Sequence, residues 1–169
     1  MPRVAVKRKP RPLVALIDMI KFELITEVKA KPLDCFELSL DLDFHQRSFG
    51  HTDETIVGGK SSGLIGFHEE VTWRAKHFGF YHLHTSRITA FDSPIHFRDE
   101  MIEGRFKKFA HDHYFEPISS GTRMRDVIQL QAPMGILGRI AEVLVLHKYM
   151  YRLIETRNDA IRVAAEAGR

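Results

Sequence analysis

Apolar and charged residues alternate over residues 19–29, beginning Met-Ile-Lys-Phe-Glu, which is the period of a strand with one buried face. Pro32 suits the first turn of a helix, and Leu33, Phe36 and Leu40 follow at helical spacing. A second short helix is expected over residues 41–48. Gly58-Gly59 and Gly63 then mark turns on either side of residues 60–62. From Leu64 the chain reads as consecutive strands over 67–78, 81–91, 95–103, the stretch after Gly104-Arg105, and 122–131. In the first of these, Phe67, Val71, Trp73 and Ala75 share one face, along with Glu69 and His77, which are expected at a cavity mouth. In the third, Phe97 and Met101 point in while Arg98 and Glu100 point out. The connecting turns are short, so neighbouring strands run antiparallel, and one polar face means that only the other is covered.

Pro133 ends the last strand and the period changes. Leu137, Ile140, Ala141, Leu144, Tyr151, Ile154 and Ile161 recur three, four or seven apart, giving one long amphipathic helix to about Ala165. Val143-Leu144-Val145-Leu146 is apolar nearly all round and needs cover on more than one side, from the sheet, a bound ligand or a second copy in a homodimer.

The stretch Phe109-Ala110-His111-Asp112-His113-Tyr114-Phe115 departs from this plain pattern. As a strand it places Phe109, His111, His113 and Phe115 on one face, the face that should be apolar. Buried imidazoles require polar partners. By the same parity Asp99 shares the face of Phe97 and Met101, and Asp126 that of Met124 and Ile128. A turn leaving Pro117 opposite Thr122 sets His113 across from Asp126 and Phe115 across from Met124. A three-residue turn over 104–106 sets Asp99 across from His111, and a two-residue turn breaks that pairing. Two His–Asp pairs on an inner wall can pin strand register, anchor the polar group of a ligand, or move a proton. Two histidines spaced by one residue do not by themselves make a metal site, and no metal or other cofactor is expected.

Composition narrows the class without deciding it. The chain of 169 residues is 44% hydrophobic and 28% charged, within the range of one ordinary globular domain. Five of its 25 basic residues (Arg3, Lys7, Arg8, Lys9 and Arg11) lie before position 13; without them the 22 acidic residues outnumber the basic ones. Residues 1–18 therefore read as a basic, disordered tail, and residues 19–169 as a single domain. With the cations terminal and no aromatic–basic stripe, nucleic acid is not an expected partner. Residues 13–17 are too short for a membrane span. Cys35 stands alone in an apolar stretch, which makes it core filler and points to a reducing cytoplasm. Gly58-Gly59-Lys60-Ser61 lacks the upstream glycine and the strand-to-helix setting of a phosphate loop.

A strand, two short helices, a run of antiparallel strands and a long C-terminal helix together give an α+β helix-grip fold. In it a curved sheet of about seven strands wraps the helix and leaves a pocket between them. The chain resembles the START-like, or SRPBCC, superfamily in its polyketide cyclase/dehydrase-like branch. The residues that carry the resemblance are Val71-Thr72-Trp73-Arg74-Ala75-Lys76-His77-Phe78-Gly79, Phe97-Arg98-Asp99-Glu100-Met101-Ile102-Glu103-Gly104, Phe109 to Glu116, Gly121-Thr122-Arg123-Met124-Arg125-Asp126 and Pro133-Met134-Gly135-Ile136-Leu137-Gly138. The resemblance implies a central cavity for a hydrophobic molecule, with cyclisation or dehydration in some members. The leading expectation is binding of a lipid, polyketide or steroid-like molecule by Trp73, Phe97, Asp99, Met101, Phe109, His111, His113, Phe115, Met124 and Asp126. The alternative is a cavity enzyme of cyclase, dehydratase or hydrolase type, with His111, His113, Asp99 and Asp126 as its acid–base groups. A regulatory module using its outer surface is a third class. His45 faces the cavity or caps its turn, and His82 and His84 are expected on the surface of their strand.

Overall fold

The computed structural model describes residues 19–48, 53–131 and 139–168. Strand β1 (Met19–Val28) is followed by helices α1 (Pro32–Leu40) and α2 (Leu42–Ser48) and by strands β2 (Thr55–Gly59), β3 (Glu70–His77), β4 (Phe80–Asp92), β5 (His96–Glu103), β6 (Lys108–Ile118) and β7 (Gly121–Gln131). Helix α3 (Arg139–Glu166) closes the order. The strands form one antiparallel sheet in the order β1-β7-β6-β5-β4-β3-β2. This is the α+β helix-grip architecture: a curved seven-stranded sheet around a long C-terminal helix, with two short helices after the first strand. Expectations on residues 1–18, on the Pro133 to Gly138 motif with Leu137, and on the side chains of Ile140, Ala141, Val143 and Leu144 lie outside the described residues.

Each element follows from a local cause. In β1 the alternation buries Ile20, Phe22 and Leu24 while Lys21, Glu23 and Ile25 face out. Pro32 occupies the first turn of α1, where its missing N–H costs nothing. Phe36, fully covered on α1, meets Phe97 and Phe115 edge-on at centroid distances of 5.6 and 5.4 Å, joining the short helix to the middle of the sheet. Helix α3 contributes Met150 and Ile154 to a cluster with Phe22, Ile128 and Leu130, and Ile161 to the cluster around Phe36.

Two expectations need correcting. Gly58 and Gly59 are not a turn but the end of β2, an edge strand paired with β3 across a bulge. Gly59 takes a φ of +73°, and a Cβ there would lie 2.3 Å from the Glu70 carbonyl oxygen, so the close approach of two backbones explains the glycine. Strand β3 also starts later than its alternation implies. His68 adopts a φ of +63°, and Phe67 is left exposed rather than sharing the face of Val71 and Trp73.

Candidate functional site

Strand β6 lies between β5 and β7, so His111 and His113 are flanked by one carboxylate from each neighbour. The ladders set His113 across from Asp126, Phe115 across from Met124 and Asp99 across from His111, as strand parity anticipates. The hydrogen bonds then run diagonally. His111 Nε2 lies 2.8 Å from Asp126 Oδ1, and His113 Nε2 lies 3.0 Å from Asp99 Oδ2. The two rings pack with centroids 3.6 Å apart, and His113 Nδ1 stands 3.1 Å from Asp126 Oδ1. Four side chains therefore form one cross-linked network rather than two separate pairs.

Helix α3 completes it with two residues that the sequence reading passes over. Asn158 Nδ2 donates to Asp126 Oδ2 at 2.6 Å and to Thr26 Oγ1 at 3.2 Å. Arg157 Nη1 lies 3.4 Å from His113 Nδ1 and 3.7 Å from Asp126 Oδ1, while its Nη2 donates to the Ser39 carbonyl at 3.2 Å. Both side chains are buried, with Arg157 5% and Asn158 1% exposed. A signal for them existed: Arg157 and Asn158 follow Ile154 by three and four and precede Ile161 by four and three, on the helix face that packs inward.

The network fixes the proton positions. A carboxylate can only accept, so His111 Nε2 carries the proton given to Asp126 and its Nδ1 keeps a lone pair, 4.0 Å from Asp99 Oδ2. His113 donates from Nε2 to Asp99, and its Nδ1 lies between Asp126 Oδ1 at 3.1 Å and the Arg157 guanidinium at 3.4 Å. Burial pushes the His111 imidazole below its usual range; the charge of His113 adds to this, and Asp126 only partly offsets it. His111 is accordingly a neutral base at pH 7. Burial raises the Asp126 carboxyl, but hydrogen bonds from His111 and His113 outweigh it and hold the group well below the ordinary range. Asp99 experiences the same opposition and is brought down to about 2 by its bond from His113 and the nearby His111, His113 and His84.

Beside the network lies a cavity of about 550 Å³ between sheet and helix, large enough for a small organic molecule. Ile65, Val71, Trp73 and Ile88 give it apolar walls from the sheet side, and Met150, Leu153 and Ile154 from α3; Asp99, His111, His113 and Arg157 form a polar floor. Of the expected ligand-binding residues, Trp73, Phe97, Asp99, Phe109, His111 and His113 reach this space. Phe115 and Met124 do not, because they are sealed against Phe36 in the core. Asp126 sits behind the imidazoles, and Met101 packs in the cluster that includes Phe109.

The histidines bring further corrections. His82 and His84 line the cavity rather than the outer surface, since they share strand parity with buried Ser86 and Ile88. Burial lowers the affinity of His84 for a proton. His45 faces the cavity, its ring 4.6 Å from that of Trp73 and its Nε2 3.6 Å from Glu54 Oε2. His77 lines the mouth and shares a 2.6 Å hydrogen bond with the Tyr149 hydroxyl. Glu69 is drawn elsewhere, by an ion pair with Lys60 and the Gly66 amide. Buried Cys35 has its thiol pushed up to about 11 by desolvation, which makes it inert. Among the described residues, Asp99, His111 and His113 are the set whose donor atoms, all within 4.8 Å of one another, could hold a cation. An ion there would displace the proton between His113 and Asp99 and would sit close to the Arg157 charge.

No protein-family profile matches the chain, and no curated protein matches it by sequence. Solved structures do match. TTHA0849 from Thermus thermophilus superposes with a TM-score of 0.70 at 18% identity, over 89% of this chain and 98% of that one. A START superfamily protein from Mycobacterium smegmatis gives 0.65 at 11%, over 90% and 99%. The chain has the helix-grip fold of START-like proteins. The di-domain ARO/CYC StfQ from the steffimycin biosynthetic pathway gives 0.71 at 16%, over 91% of this chain and 53% of StfQ. Identities this low speak to fold alone, and one fold carries many functions. Among the described residues no helix is long and apolar enough to cross a membrane.

Proposed function

We propose that the cavity takes up a hydrophobic or amphipathic small molecule and that His111, backed by Asp126, moves a proton at its polar end. The observation that carries this reading is a buried imidazole at the floor of an apolar cavity, its Nε2 bound to the Asp126 carboxylate at 2.8 Å and its Nδ1 beyond hydrogen-bonding reach of Asp99, at 4.0 Å. A structural network needs no cavity beside it, and a passive anchor does not need a base oriented by a buried carboxylate. The chemistry is of the cyclase or dehydratase kind, and the fold shared with an ARO/CYC protein is consistent with it. For a dehydration, His111 Nδ1 takes the proton from the carbon beside a carbonyl. Asp126 stabilises the resulting imidazolium, and the same proton passes to the departing hydroxyl, so that one water leaves. Arg157, on the cavity floor, offers its guanidinium to the negative charge that builds on the carbonyl oxygen.

Native mass spectrometry of freshly purified protein, followed by return of the extracted ligand to emptied protein, tests the proposal. The wild type is expected to convert the compound by isomerisation or loss of water, while His111→Asn retains it unchanged. A ligand held by both proteins and converted by neither would leave binding alone and overturn the catalytic reading.

A further inference from the structure

The cavity mouth carries apolar side chains that stay largely exposed, although one of them, Phe78, touches the Tyr149 ring at a centroid distance of 4.7 Å. At the β3–β4 turn, Phe78 and Phe80 are 60% and 71% exposed, and both line the opening together with exposed Leu83 and Val145. Phe78 holds a φ of +51° beside Gly79 at +83°. A two-residue turn with both central residues at positive φ favours Asn, Asp or Gly, so a phenylalanine here costs backbone strain as well as exposure. The β5–β6 turn lies at the same end of the sheet and presents Arg105, Lys107 and Lys108, with Glu103 the carboxylate in the turn, and Lys76 stands near the other tip. The start of β1 is there too, since Met19 pairs with Gln131 and Gln131 with Lys108. The chain that precedes Met19 carries Arg3, Lys7, Arg8, Lys9 and Arg11.

Exposed aromatic tips on the end of the sheet that carries Lys107, Lys108 and Arg105 (the last hydrogen-bonded to His82), with Asp53 and Glu54 confined to the β2 side, match a membrane interface, where rings enter the headgroup boundary and Lys and Arg meet anionic lipids. We infer that the mouth end docks on an anionic bilayer surface, with Phe78 and Phe80 entering the interface and the flanking cations facing headgroups. The cavity then opens onto the phase in which apolar molecules concentrate.

Flotation of the full chain with vesicles of phosphatidylcholine alone, or with about 30 mol% phosphatidylglycerol, tests this. Binding is expected to be at least about tenfold stronger on the anionic vesicles and to fall about tenfold in roughly 0.5 M salt. Phe78→Asn with Phe80→Ser should weaken it about tenfold, as should Lys107→Glu with Lys108→Glu. Phe78→Asn relieves the turn, so circular dichroism should show an intact fold. Ile25→Ser, at an exposed apolar site on β1, should change nothing. Equal binding to both vesicle types overturns the inference and leaves a protein partner as the occupant of the rim. Binding that survives the Phe78/Phe80 change but is lost when the five cations before Met19 become glutamine also overturns it, because those cations alone would then suffice. None of these substitutions touches His111 or Asp126, so the result is independent of the proton-transfer reading.

Discussion

Asp126 carries more of the site than any other side chain. It accepts from His111 and Asn158, lies 3.1 Å from His113 and 3.7 Å from Arg157, and is 2% exposed. Asp126→Asn keeps the shape but sets an amide donor against donors and leaves the Arg157 charge less compensated. A loss of about 3–5 kcal/mol is expected in urea unfolding, as for one partner removed from a buried ion pair. A loss within about 0.5 kcal/mol would show the network to be slack. The same groups set the acid limb of stability. His111 and His84 bind a proton less readily folded than unfolded, so stability falls as pH drops below about 6.5. Asp99, at about 2, and Asp126, lower than its ordinary value, add a further loss as pH falls below their ordinary 3.8. His111→Gln, uncharged throughout, should flatten the melting temperature between about pH 6.5 and 5; an unchanged slope would contradict the assignment. The four histidine and aspartate positions were legible because strand parity needs only a period of two. Arg157 and Asn158 were not, because polar residues on a helix ordinarily read as solvated.

At the scale of elements, the β6–β7 hairpin decides whether the site exists. A slip of one residue between its two strands would put His111 and His113 on the face opposite Asp126. The two-residue connection between Ile118 and Gly121 pins the register, and Gly121 takes a φ of +142° with the Val28 carbonyl 2.1 Å from where a Cβ would stand. Gly121→Ala should cost about 2–4 kcal/mol and shift the melting temperature accordingly. Helix α3 is pinned at Ile161, which is fully buried; Ile161→Ala should cost about 2–5 kcal/mol and loosen the Arg157–Asn158 contact with the sheet. Strand β2 escaped the sequence reading because Gly58-Gly59 has the composition of a turn, and only the close approach to Glu70 reveals its place. His82 and His84 were misplaced because β4 is long and exposed at both ends, which hides the parity set by Ser86 and Ile88 in its middle.

For the whole molecule, sheet and helix stand apart along the cavity and close together at Phe36 and Ile161, so one half of the grip is core and the other container. That division was legible as a fold but not as a volume, because the side chains that fill one half and line the other are equally apolar. Ala75→Phe projects a ring into the cavity; it should abolish most of the enhancement of 1-anilinonaphthalene-8-sulfonate fluorescence while costing about 1–3 kcal/mol. Unchanged fluorescence would mean that the dye binds elsewhere. The central claim is that His111 presents a neutral imidazole with its proton on Nε2 and its lone pair on Nδ1. Nitrogen-15 imidazole spectra of the wild type at pH 7, assigned with His111→Gln, test it most directly. A protonated Nε2 with an unprotonated Nδ1 is the predicted result; an imidazolium, or the proton on Nδ1, would contradict it.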